Sequence, residues 1–90
     1  IVLDALRENG LEENTLVIFN GDQGYLLNEH KRFEKHTFWE ESIRAPLIIR
    51  GKNTLPAGRS THALVEFVDL FPTVTDALGF QEQAGLHGKS

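Results

Sequence analysis

The chain contains no cysteine, and therefore neither a disulfide framework nor a thiolate metal site; its redox compartment cannot be read from its thiols. It has no apolar run approaching the ~20 residues that span a bilayer, which excludes a membrane-crossing helix. It also lacks a clustered basic face. The 9 Lys and Arg are scattered among 13 Asp and Glu, giving a formal charge of −4, which argues against a groove for nucleic acid. There is no low-complexity tract and no internal repeat. The opening "IVLDALRENG" has neither an initiator Met nor the charged start and cleavage site of a signal peptide, and "LHGKS" stops abruptly. A piece of a longer protein is the expectation.

What is present is the composition of a globular protein, 40% hydrophobic and 24% charged. Its 90 residues allow one small domain, and a domain of that size buries only about 60 to 65% of its unfolded surface. Val2, Leu3, Ala5 and Leu6 share a helical face, which predicts a helix over 1–9 with Gly10 at its C′ position. A polar turn "LEENT" leads into Leu16-Val17-Ile18-Phe19, continuously apolar and β-branched like a strand covered on both faces. A helix feeding such a strand is half of a βαβ unit.

Residues 20–38 show little periodicity, and a loop of that length is more often functional than idle. "FWEESIR" predicts a short helix ending before Pro46, and Leu47-Ile48-Ile49 a second strand. The turn-rich "GKNTLPAGRS" follows. "THALVEFV" reads as a third strand, with Ala63, Val65 and Phe67 alternating against Leu64 and Val68. Asp69 stands at a helix N-cap, with Pro72 in the first turn and Leu70, Phe71, Val74, Ala77 and Leu78 at helical spacing before Gly79. The pattern is one α/β segment.

In open α/β sheets ligands sit beyond the carboxyl ends of strands, and Asp22-Gln23 lies just past Phe19. A carboxylate beside an amide oxygen suits a hard cation such as Ca²⁺ or Mg²⁺, with Gly24 letting the backbone turn beneath it. Two side chains make only part of a calcium site, which takes about six to eight oxygens. The same residues also populate ordinary turns for local reasons, so spacing alone does not decide between the two.

The register of "TLVIFNGDQGYLLNEHKRFEKHTFWEESIRAPLII" resembles the type I sulfatase family. That family has an apolar strand ending in D-[NHQ]-G, a loop with a G-E-H-like element, a lysine, a "YEES-R-P" segment and a further strand. The matching residues here are Asp22-Gln23-Gly24, Asn28-Glu29-His30, Lys35, Trp39-Glu40-Glu41-Ser42-Ile43-Arg44 and Pro46-Leu47-Ile48-Ile49. Downstream, "VDLFPTVTDALG" is similar to the V-D-[LI]-x-P-T helix and "LHGKS" to the L-x-G-[RK]-S ending, so essentially the whole chain is covered.

The resemblance implies an α/β fold, a segment from the C-terminal part of an alkaline-phosphatase-like catalytic domain with a mostly parallel central sheet covered by helices. It implies that Asp22 is a metal-binding carboxylate and that Gln23 fills the neighbouring slot usually held by Asn or His. Gln is one methylene longer than Asn, and its amide oxygen favours Ca²⁺ or Mg²⁺ over zinc. Lys35 matches the lysine that contacts the substrate sulfate, and His36 beside it is a substrate-pocket candidate. Lys31 and Lys52 have no substrate contact in that register. His30 can titrate near neutrality, but a loop histidine is more often a hydrogen-bonding residue, and Glu40, Glu41 and Arg44 read as structural.

The family nucleophile, a formylglycine made from the Cys or Ser of C/S-x-P-x-R, has no counterpart in these residues. The isolated chain is thus expected to be inactive, its partners being the remainder of the catalytic domain and, in the parent, a sulfate ester. There the resemblance implies attack by hydrated formylglycine on sulfur, with the cation neutralising sulfate oxygens. An exported parent (periplasmic, secreted or lysosomal) accords with the resemblance, and the sulfated alcohol stays open. The alternatives are a phosphodiesterase or phosphonate monoester hydrolase on the same scaffold, or a non-catalytic α/β binding module.

Overall fold

A computed structural model describes residues 1–51, 55–81 and 83–90. Lys52 lies outside the described residues, as does part of the "GKNTLPAGRS" turn. The chain divides into two compact units, Val17–Gly51 on one hand and Ile1–Leu16 with Lys52–Ser90 on the other.

In the unit Val17–Gly51, strand β1 (Val17–Asn20) pairs antiparallel with β2 (Leu47–Arg50), Ile18 facing Ile49 and Phe19 facing Ile48. Gly21 extends the ladder by donating its N–H to the Pro46 carbonyl at 3.0 Å. This pair is antiparallel, although the connection between its strands is long enough for a parallel crossover too, and no parallel pair occurs among the described residues. The expected covering of both strand faces is not met within this chain, because the Phe19–Ile48 pair stays 60% and 61% exposed. Between the strands lies α2 (Glu40–Ile43), a single turn within "FWEESIR". The Arg44 N–H bonds the Glu40 carbonyl, and extended backbone at Arg44 ends the helix ahead of Pro46. The Arg44 guanidinium reaches the Glu40 carboxylate at 3.6 Å, an exposed i,i+4 pair worth about 0.3–0.5 kcal/mol.

In the other unit, α1 (Val2–Glu8) is followed by Asn9, whose side chain donates to the Ala5 carbonyl at 2.8 Å, and by Gly10 at φ +68. "EEN" forms a 3₁₀ turn over Glu12–Asn14 where the polar turn is expected. The third strand expected in "THALVEFV" is not there. Residues 61–66 are exposed and without regular structure, and Phe67–Asp69 forms a 3₁₀ turn that runs into α3 (Leu70–Ala77). The physical reason is local: Asp69 Oδ2 accepts the Glu66 N–H at 2.9 Å, closing the backbone into a turn, and no strand pairs with this segment among the described residues.

Asp69 occupies the N-cap position of α3 but does not cap it with its side chain. Its other oxygen, Oδ1, accepts the Lys89 N–H at 2.9 Å. Next to that bond the Gly88 backbone approaches the Val68 carbonyl so closely that a β-carbon would stand 2.0 Å from the oxygen. The "VD" and "HGKS" segments, far apart in sequence, therefore meet. These two N–H bonds, the one from Lys89 foremost, hold the Asp69 carboxyl below its ordinary value. Within α3 the buried residue is Pro72, whereas Phe71 and, at the C-cap, Leu78 remain 51% and 56% exposed.

Leu26 is the one fully buried hydrophobic among the described residues. The chain exposes 7938 Å², whereas a folded monomer of 10.1 kDa exposes roughly 5300 Å². Large apolar side chains stay open accordingly, Phe19, Ile48 and Phe71 among them.

Candidate functional site

The site grows from the end of β1. Asp22 and Gln23 are held between two backbone hydrogen bonds, Gly21 N–H to the Pro46 carbonyl before them and Gly24 N–H to the Ser42 carbonyl, at 2.9 Å, after them. Asp22 is exposed and Gln23 half-buried. Neither side chain has a hydrogen-bond or ion-pair partner among the described residues, so both oxygens are uncommitted. Gly24 is needed for close approach rather than for a tight turn. A β-carbon there would stand 2.0 Å from the Glu41 carbonyl oxygen and 3.0 Å from that of Arg44.

Beyond Gly24 the chain folds back on itself. Leu26 donates its N–H to the Glu34 carbonyl at 2.8 Å, and Asn28 to that of Arg32 at 2.9 Å. The tip is tight, with Asn28, His30 and Lys31 at φ 90, 54 and 58, conformations that Asn and His tolerate better than most residues. His30 stacks on Trp39 with centroids 3.7 Å apart and planes 13° from parallel, and its Nε2 lies 3.7 Å from Glu41. These contacts hold the loop tip against the start of α2. Glu34 is tied to Arg32 by an ion pair at 2.6 Å.

Lys35 follows directly after the Leu26–Glu34 bond, with its side chain exposed. Its carbonyl accepts a hydrogen bond from the Ser42 hydroxyl. His36 lines a shallow groove with Arg32, Thr37, Phe38 and Trp39. No ion pair joins Asp22 to Lys35 among the described residues. The Lys35 carbonyl and the N–H of Gly24, two residues past Asp22, are instead both bonded to Ser42, which is only 2% exposed. Sequence reading passed over this serine, although one short polar residue inside an otherwise bulky "FWEESI" was a usable signal.

Among the described residues no group of three or more His, Cys, Asp and Glu could hold a metal ion by itself. The donors that Asp22 and Gln23 do supply, a carboxylate and an amide oxygen, fit a hard cation and not a soft one. They fit it as two ligands of a larger set.

A solved structure described as a complex with its substrate D-glucosamine-2-N,6-O-disulfate is similar to this chain with a TM-score of 0.91 and 36% identity, over 99% of this chain and 18% of that one. A phosphonate monoester hydrolase from Silicibacter pomeroyi is similar with a TM-score of 0.86 and 32% identity, over 99% of this chain and 17% of that one. The fold is accordingly that of the alkaline-phosphatase-like α/β hydrolases. Within that class the model described as Sulfatase matches residues 1–80, and the chain belongs to the Sulfatase family. Among curated relatives, a sulfatase of Formosa agariphila is 39% identical over 99% of the chain, and the N-acetylglucosamine-6-O-sulfatase of Bacteroides thetaiotaomicron 36% identical over the same share. The chain spans 17% and 16% of their respective lengths. Dependence on a metal and a formylglycine goes with the family in general. Among the described residues no helix is long and apolar enough to cross a membrane.

Proposed function

We propose that the chain is the part of a sulfate-ester hydrolase that supplies two cation ligands, Asp22 and Gln23, and one sulfate-binding cation, Lys35. The observation that carries the reading is the uncommitted Asp22-Gln23 pair, clamped on both sides just past β1 in a chain of the Sulfatase family. When bound, the cation, Ca²⁺ or Mg²⁺, would neutralise charge on the sulfate, and the formylglycine would be the nucleophile. The residues of this chain bind and orient. Asp22 lends a full negative charge to the cation and Gln23 a neutral oxygen, so the pair leaves the ion positive enough to attract sulfate. Lys35 adds a point charge with three donors, suited to an anion whose charge is spread over several oxygens. His36 lines the groove beside Lys35 and is proposed to face the alcohol part of the substrate.

A second reading, a phosphonate monoester hydrolase, is favoured by the Silicibacter pomeroyi likeness. The test is turnover by the full-length protein of an aryl sulfate, a 6-O-sulfated glucosamine and an aryl phosphonate monoester, each with added Ca²⁺ and with chelator. Metal-dependent preference for a sulfate ester supports the first reading. Preference for the phosphonate establishes the second, and no turnover with calcium still bound through Asp22 indicates a binding module.

A further inference from the structure

The Ser42 side chain is buried, polar and fully used. Its hydroxyl donates to the Lys35 carbonyl, and its own carbonyl accepts the Gly24 N–H at 2.9 Å. Its N–H is bonded in turn to the Trp39 carbonyl at 2.9 Å, so the residue is locked into the first turn of α2. One residue thus touches the backbone of both segments that carry the proposed chemistry. On the Gly24 side the contact has no slack, because backbone there meets backbone without room for a β-carbon. On the Lys35 side the hydroxyl ties α2 to the lysine's own peptide.

We infer that Ser42 is a positioning residue that sets the spacing between the Asp22-Gln23 cation ligands and Lys35. The inference rests on the proposed roles of those residues. Ser42 touches no substrate; it acts by where it holds the Lys35 peptide relative to the loop that starts at Gly24. A long lysine side chain can reach a given point from many backbone placements, so fixing its carbonyl narrows the positions its ammonium samples. Removing the hydroxyl would free the Lys35 peptide and leave its carbonyl without this donor, while the Gly24 bond, made by the backbone of Ser42, would stay.

The experiment is a double-mutant cycle in the full-length protein, with Ser42→Ala, Lys35→Ala and the double variant assayed on one sulfate ester, and with calcium affinity and Tm measured alongside. Loss of a supporting hydrogen bond around a site is expected to cost on the order of 10- to 100-fold in kcat/KM. In the Lys35→Ala background the same change is expected to cost less than about twofold, since there is no ammonium left to place. Calcium affinity should move little, because the bond to Gly24 is kept. Equal fold losses from Ser42→Ala in both backgrounds would reduce Ser42 to a structural role and overturn the inference, as would a Ser42→Ala enzyme with unchanged kinetics. A Lys35→Ala enzyme of normal activity would instead sink the sulfate-binding reading on which it rests. Should Ser42→Ala fail to fold, Ser42→Cys, close in volume and a weaker donor, enters the same cycle with the same two outcomes.

Discussion

Gly24 packs its α-carbon against the Glu41 carbonyl so tightly that a β-carbon would stand 2.0 Å from that oxygen. The contact joins the loop bearing Asp22 and Gln23 to α2, and both partners are backbone, so neither can swing aside. Gly24→Ala in the full-length protein is therefore expected to lower stability by roughly 1–3 kcal/mol, the usual range for overpacking. Calcium affinity should fall with it. Urea unfolding and calcium titration check this, and a variant with unchanged urea midpoint and calcium affinity would show that the contact has slack.

Asp22→Ala is expected to abolish most activity of the full-length protein and to weaken calcium binding, since it removes a charged ligand and leaves the other ligands facing an under-neutralised ion. Gln23→Asn should be milder because it keeps the amide oxygen on a shorter arm. Calorimetric titration with Ca²⁺ beside steady-state kinetics reads both. Near-normal activity of Asp22→Ala would leave this loop as a turn and nothing more.

Lys35→Ala is expected to raise KM and lower kcat, with a loss on the order of 10² to 10³ in rate if the ammonium acts in a dry site. Lys35→Arg should recover only part, because a planar fork does not replace a point charge. Lys31 is the control: it carries the same charge at φ 58 on the loop tip and is expected to tolerate Ala with normal kinetics. Indistinguishable kinetics for the Lys35 and Lys31 alanine variants would remove Lys35 from the site.

The Asp69 carboxyl, held below its ordinary value by the N–H groups of Lys89 and Glu66, makes a pH prediction. A carboxyl whose folded value lies below its unfolded one stabilises fully above the unfolded value, about pH 4, and loses that contribution as pH falls through the lower folded value. Asp69→Asn should accordingly show a lower Tm at pH 7, with the gap to the natural protein narrowing below about pH 4. Melting curves of the full-length protein from pH 7 to pH 3 decide it, and a constant gap across that range would mean that the charge is not what matters.

Much of this was legible along the chain. Local patterns were enough for α1 and its Gly10 stop, for the one-turn helix in "FWEESIR", and for β1, β2 and α3, because each depends on neighbours within a few residues. The ordered motifs that match sulfatases placed Asp22, Gln23 and Lys35 as candidates, since residue identity and spacing are properties of sequence alone. Tertiary structure decided what those patterns could not contain. "THALVEFV" alternates like a strand, yet a strand exists only through a partner, and here the Asp69 carboxylate closes the segment into a turn instead. That carboxylate binds the Lys89 N–H rather than capping its own helix, a pairing across 20 positions that no local propensity encodes. Gly24 looked like a turn residue and is a contact residue, and Ser42 looked like one letter of a motif and is the tie between Gly24 and Lys35. The Asp69 turn is made within three residues but shows only once no strand pairs with the segment; for Lys89 on Asp69 and Glu41 against Gly24 the deciding atom comes from far along the chain, and only folding brings it within hydrogen-bond or van der Waals reach.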